Sequence, residues 1–86
     1  MSDPSVRETL RTFILTNFLP GEEPSSLGDS TPLVTGGVVT SLSLLELVTF
    51  IEDKYSVELD VDDLGVSRMD SIDLLTELVA ERIAAR

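Results

Sequence analysis

The sequence predicts an all-α fold: a small four-helix bundle of three long helices and one short one, with a long first loop. Three observations carry this expectation. Apolar residues recur at three- and four-residue spacing in three separate segments. Residues 20–40, between the first two of these, have no period and are rich in Gly, Pro, Ser and Thr. The one stretch with some alternation, VELDVDDLGV, has no second strand to pair with. Eighty-six residues are expected to form a single domain, 1-86. A chain of that length buries roughly 60–65% of its unfolded surface, enough for one modest core.

The first helix is expected to open with Asp3 as cap and Pro4 at the first helical position, where a missing N–H costs nothing. Val6, Leu10, Phe13, Ile14 and Phe18 fall on one face, and Pro20-Gly21 ends the run. The loop that follows carries spaced apolar residues, Leu27, Leu33, Val34, Val38 and Val39, so it reads as packed onto the domain. Residues 41–55 are the strongest helix. Leu47, Ile51 and Tyr55, with Leu44 and Val48, form its core face. Leu42, Leu45 and Thr49 lie on another side, beside Glu46, Glu52 and Asp53. An acidic rim around leucines suits a partner-binding helix, although a wide apolar stripe would make Leu42 and Leu45 core residues. Thr40 can cap this helix, or Ser43 can do so in a capping box with Glu46. A short helical turn is expected near Val61 to Leu64. The last helix is expected to run from Asp70 as cap to about Ala84, with Ile72, Leu75, Leu78, Val79 and Ile83 on its apolar face.

Composition narrows the chemistry. There is no Cys and no His, which removes thiolate chemistry, disulfides, the usual proton shuttle and the commonest metal ligand. Sixteen acids against six bases give a net charge of −10. Such a field repels nucleic acid and anionic lipid and attracts proteins with basic patches. Yet 42% of the residues are hydrophobic, too many for a disordered acidic tail. Residues 12–19 are apolar but interrupted by Thr16 and Asn17, without a cleavage site, and no stretch approaches a membrane span. A small, folded, monomeric protein of the cytoplasm is expected, with no nucleic acid, membrane or metal role. A serine nucleophile would need a base, and the only Lys is Lys54, so no catalytic residue is assigned and an enzyme is not expected. Asp60, Asp62 and Gly65 fit three positions of a calcium loop, but Leu64 and Ser71 stand where oxygen ligands are required.

The informative feature is Gly36-Gly37-Val38-Val39-Thr40-Ser41-Leu42, opening the acidic helix LLELVTFIEDKYSVEL, followed by an acidic short-helix segment and a final helix beginning MDSIDLL. Here the sequence resembles the acyl carrier protein family, including its peptidyl and aminoacyl carriers, over nearly the whole chain. The resemblance implies an acyl-carrier-like bundle. It implies that Ser41 receives a 4′-phosphopantetheine arm from coenzyme A, on whose thiol an acyl or aminoacyl group travels as a thioester. The partners it implies are a phosphopantetheinyl transferase, an acyl- or aminoacyl-loading ligase and downstream enzymes of fatty acid, polyketide or nonribosomal peptide biosynthesis. Docking would fall to Thr40, Leu42, Leu45, Glu46, Thr49, Glu52 and Asp53.

The implied role agrees with elementary chemistry. A serine at a helix N-terminus puts a phosphodiester where N–H groups and the helix dipole favour an anion. The transferase and its magnesium supply the chemistry, so no base is needed on the carrier. Thr40 departs from the family, which has Asp before the serine. Asp70-Ser71-Ile72 looks closer to the family tripeptide, but only fifteen residues follow Ser71, too few for the later helices. The looser second helix, with Thr40, Ser43 and Thr49 among its leucines, resembles a specialised-pathway or aminoacyl carrier more than the housekeeping fatty-acid one. The other reading of the same residues is an unmodified acidic helical adaptor that binds a basic protein.

Overall fold

Three apolar stripes close on one core in a computed structural model that describes residues 4–85. Its α-helices are α1 (Pro4–Phe18), α2 (Ser41–Tyr55), α3 (Val66–Met69) and α4 (Ile72–Ala85), with 3-10 turns at Pro24–Ser26 and Val61–Leu64. There is no strand among the described residues. The all-helical class and the three long helices therefore follow the periodicity. Asp3, the expected cap of α1, lies outside the described residues.

Each of the three long helices packs the face its spacing predicts against the core. Val6, Leu10 and Ile14 of α1 meet Ile72, Leu75, Leu78 and Val79 of α4, and α2 adds Leu47 and Ile51. Thr76 is fully buried with them; its hydroxyl donates to the Ile72 carbonyl at 2.7 Å, which satisfies it inside an apolar environment. Phe13 is half-buried and bridges α1 to α2, its ring stacked on Phe50 with centroids 4.1 Å apart, while Phe18 meets it edge-on at 5.6 Å. Ser56 ends α2 in the left-handed conformation (φ 54°, ψ 47°), the geometry that closes a helix when the next residue must turn away.

The long loop is packed, as its spaced anchors predict. Leu27, Leu33 and Val39 are buried, and Val34 and Val38 are half-buried against the core. Asp29 fastens it: its carboxylate pairs with Arg7 and Arg11 of α1, and its carbonyl accepts the N–H of Asp73 in α4 at 3.0 Å. The Arg11 guanidinium also donates through Nε to the Leu27 carbonyl.

The short helical turn expected near Val61 to Leu64 is present as a 3-10 turn, and a four-residue α-helix that the periodicity does not predict follows it at Val66–Met69. One expectation needs correction: Asp70 does not cap α4. It terminates α3 with near-helical dihedrals (φ −82°, ψ −1°), and the Ser71 hydroxyl takes the cap by accepting the Leu74 N–H at 3.1 Å. A capping side chain must stand one residue before its helix, and α4 begins at Ile72. Met69 seals the α3 end of the core. Asp63 is buried beneath this corner, accepting the N–H of Asp60 at 2.9 Å and pairing with Arg82 of α4. Burial pushes its carboxyl up, but the Asp60 N–H and the Arg82 guanidinium together outweigh that and hold it below the usual range.

Candidate functional site

The start of α2 is where the sequence points. Thr40 is extended (φ −89°, ψ 179°), and its Oγ1 accepts the Ser43 N–H at 3.3 Å while its hydroxyl donates to Ser43 Oγ at 3.2 Å. Its carbonyl accepts the Leu44 N–H at 2.8 Å. Of the two caps open to the sequence, the chain therefore uses Thr40. Ser41 becomes the first residue of α2 and is exposed. Its hydroxyl has no hydrogen-bond partner among the described residues. Beside it opens a shallow depression of about 410 Å³, lined by Val34, Gly37, Val39, Thr40, Ser41 and Leu44.

The loop leading to Ser41 is built to be fixed. Gly37 has φ 80°, which a side chain would strain, and a Cβ on Gly36 would sit 2.3 Å from the Pro32 carbonyl oxygen. The Val39 N–H donates back to the Leu33 carbonyl at 2.9 Å, folding residues 33–39 into a closed turn. Asp70 grips that turn from α3. Its Oδ1 accepts the N–H groups of Val34 (2.8 Å) and Thr35 (2.9 Å), its Oδ2 accepts the Thr35 hydroxyl (2.8 Å), and its carbonyl accepts the Leu33 N–H (2.7 Å). The Thr35 N–H leads a set of donors that lowers the Asp70 carboxyl below its usual value against the opposing effect of burial.

The two serines of the two tripeptides thus stand in different surroundings. Ser71 is only 8% exposed and its hydroxyl is committed to Leu74. Ser41 faces solvent.

The outer face of α2 carries the docking residues named from sequence. Leu42 is 77% exposed and Leu45 60%, so neither belongs to the core. Thr49 is exposed one turn beyond Leu45, its hydroxyl donating to the Leu45 carbonyl at 2.9 Å. Glu46 and Asp53 are exposed and make no ion pair among the described residues. Glu52 is different: it is half-buried at the edge of the face, and its Oε2 accepts the Leu59 N–H at 3.0 Å, bracing the chain beyond α2. A second depression of about 400 Å³ runs along Leu45, Glu46, Thr49 and Phe50.

Charge is unevenly spent. Arg7 and Arg11 are matched by Glu8, Asp29 and Asp73, Arg68 by Glu81, and Arg82 by Asp60 and Asp63. The guanidinium groups therefore neutralise acids of α1, the loop, the second 3-10 turn and α4; Glu46 and Asp53 on α2 are among the acids left without an ion pair among the described residues, as are Glu22, Glu23, Glu58, Asp62 and Glu77. The calcium-like segment folds as a 3-10 turn and α3, with Asp60 and Asp63 turned to Arg82. Among the described residues no group of three or more metal-ligating side chains converges. The site residues that sequence reasoning missed are Asp70 and Thr35, which meet across 35 positions and carry no local spacing signal. No protein-family model matches the chain, and no curated protein matches it.

Proposed function

We propose that the chain is an acyl carrier protein, with Ser41 as the attachment point of a 4′-phosphopantetheine arm. The observation that carries the reading is the exposed, uncommitted Ser41 hydroxyl at the first position of a capped fifteen-residue helix, within the element order the sequence resemblance requires. The residues fit such a group. The Thr40 cap uses the Ser43 N–H and leaves the open end of α2 to face an anion on Ser41. The depression under Val34, Val39 and Leu44 gives the first atoms of an arm an apolar wall. When attached, the arm supplies the thiol on which an acyl or aminoacyl group is carried. The chain's own residues only present and steer: Ser41 offers its oxygen, Leu42 and Leu45 offer apolar contact, and Glu46 and Asp53 attract a basic enzyme surface.

The adaptor reading is supported by the same exposed leucines and acids, because they suit any basic partner. Intact-mass measurement separates the two. Incubation with coenzyme A, magnesium and a broad-specificity phosphopantetheinyl transferase is expected to add one phosphopantetheine mass to the wild type and to Ser71→Ala, and none to Ser41→Ala. An unchanged wild-type mass after repeated incubation with active transferase favours the adaptor.

A further inference from the structure

The grip of Asp70 on residues 33–35 is more than the α3–α4 corner needs. A residue that only ended α3 would use its backbone. Asp70 spends its whole carboxylate, and its carbonyl as well, on a loop that is remote in sequence and leads directly into Thr40 and Ser41. We propose that Asp70 is a positioning residue for Ser41: it sets the conformation of the 33–40 loop, and so holds the helix start in the form that a modifying enzyme docks.

The physical reasoning is direct. Residues 33–40 hold no regular element; Leu33 and Val39 anchor the two ends in the core with Val34 and Val38 half-buried beside them, while Thr35, Gly36 and Gly37 are exposed. Between those anchors the backbone is ordered by Val39 N–H to Leu33, by Gly37 N–H to Val34, and by the donors that converge on Asp70. A carboxylate takes several N–H and O–H donors at once without further partners, and charge-assisted bonds of this kind are about twice as strong as neutral ones. Without that acceptor the Val34 and Thr35 N–H groups turn to water, and the loop samples conformations in which Ser41 and the depression beside it are misplaced. An enzyme that docks one loop conformation then sees a weaker partner in proportion to the fraction that remains competent. This role rests on the carrier reading only for its effect on loading; its effect on the loop stands by itself.

The test has two arms on the full-length protein. Amide hydrogen exchange is followed at Val34 and Thr35, with Leu75 and Leu78 of α4 as internal references, in wild type, Asp70→Ala and the milder Thr35→Ala, which removes a single donor. Loading by a phosphopantetheinyl transferase with coenzyme A is measured in parallel, with Arg82→Ala as a variant destabilised through its pairs with Asp60 and Asp63, which include no residue of the 33–40 loop. Asp70→Ala is expected to speed exchange at Val34 and Thr35 by about tenfold or more without changing the α4 amides, and Thr35→Ala to do so by less. If the competent fraction falls to about one fifth, the KM for the carrier rises about fivefold at little-changed kcat. Arg82→Ala is expected to load like the wild type wherever it is folded. Unchanged exchange at Val34 and Thr35 in both loop variants overturns the proposal, as does equal loading of Asp70→Ala and Arg82→Ala. Should the wild type fail to load at all, the carrier reading falls, and the exchange result alone decides whether Asp70 sets the loop.

Discussion

At Thr40 the helix cap and the neighbour of the proposed acceptor, Ser41, are the same residue. Its hydroxyl holds the Ser43 N–H, so Thr40→Ala is expected to cost about 1 kcal/mol of stability, read from denaturant midpoints. Aspartate caps equally well and adds a charge that a cationic transferase surface can read. Thr40→Asp is therefore expected to keep stability and raise the initial rate of pantetheine transfer below saturation; equal rates would show that threonine is no handicap. The choice of Thr40 over Ser43 as cap was not legible in the sequence, because both satisfy the same donor rules and only the helix register separates them. Ser71 shows the opposite limit. Its tripeptide resembles the acceptor, yet its hydroxyl closes the first turn of α4 and its side chain is buried.

Among the elements, α2 was the most legible in extent, since its apolar period runs through the whole of Ser41–Tyr55 even with its cap open between Thr40 and Ser43. The four-residue α3 was not, because one turn between Gly65 and Asp70 gives no period to read. The outer face of α2 now divides by role. Glu46 and Asp53 stand free of ion pairs among the described residues, whereas Glu52 braces the Leu59 N–H. Glu46→Lys is expected to lower the association rate with a basic partner enzyme more than it raises dissociation, with a loss that shrinks at high salt. Leu45→Ala is expected to act mainly on dissociation, since apolar packing forms after encounter. Glu52→Gln is expected to lower stability as well, because it weakens an internal acceptor. The control is Glu77→Lys on α4, an exposed acid without an ion pair among the described residues; Glu81 is unsuitable because Arg68 holds it. Stopped-flow association at two salt concentrations measures this, and equal slowing by Glu46→Lys and Glu77→Lys would reduce the docking face to net charge alone.

Across the whole molecule, Arg7, Arg11, Arg68 and Arg82 fasten α1, the loop, α3 and α4, and the chain keeps a net charge of −10. Composition announced the surplus, but its placement depends on pairings such as Arg82 with Asp63 that span 19 positions, and on Asp70 reaching Thr35 across 35. No period or local motif carries distances of that kind. Both carboxyls are lowered in the native state, so the unfolded chain binds protons more readily at these two positions. Their stabilisation is full above the unfolded carboxylate value of about 3.9 and is lost as pH falls through the lower native values. Thermal melts of wild type and Asp63→Asn are therefore expected to differ at neutral pH and to converge at the lowest pH where both still fold. A gap that persists there would mean that Asp63 contributes shape and not charge. The central claim, that this architecture exists to present the Ser41 hydroxyl, is tested most directly by fragmentation mass spectrometry of the transferase-treated protein. The account predicts a phosphopantetheine adduct on Ser41, with Ser43 and Ser71 bare. An adduct on either of those serines, or none on any, would contradict it.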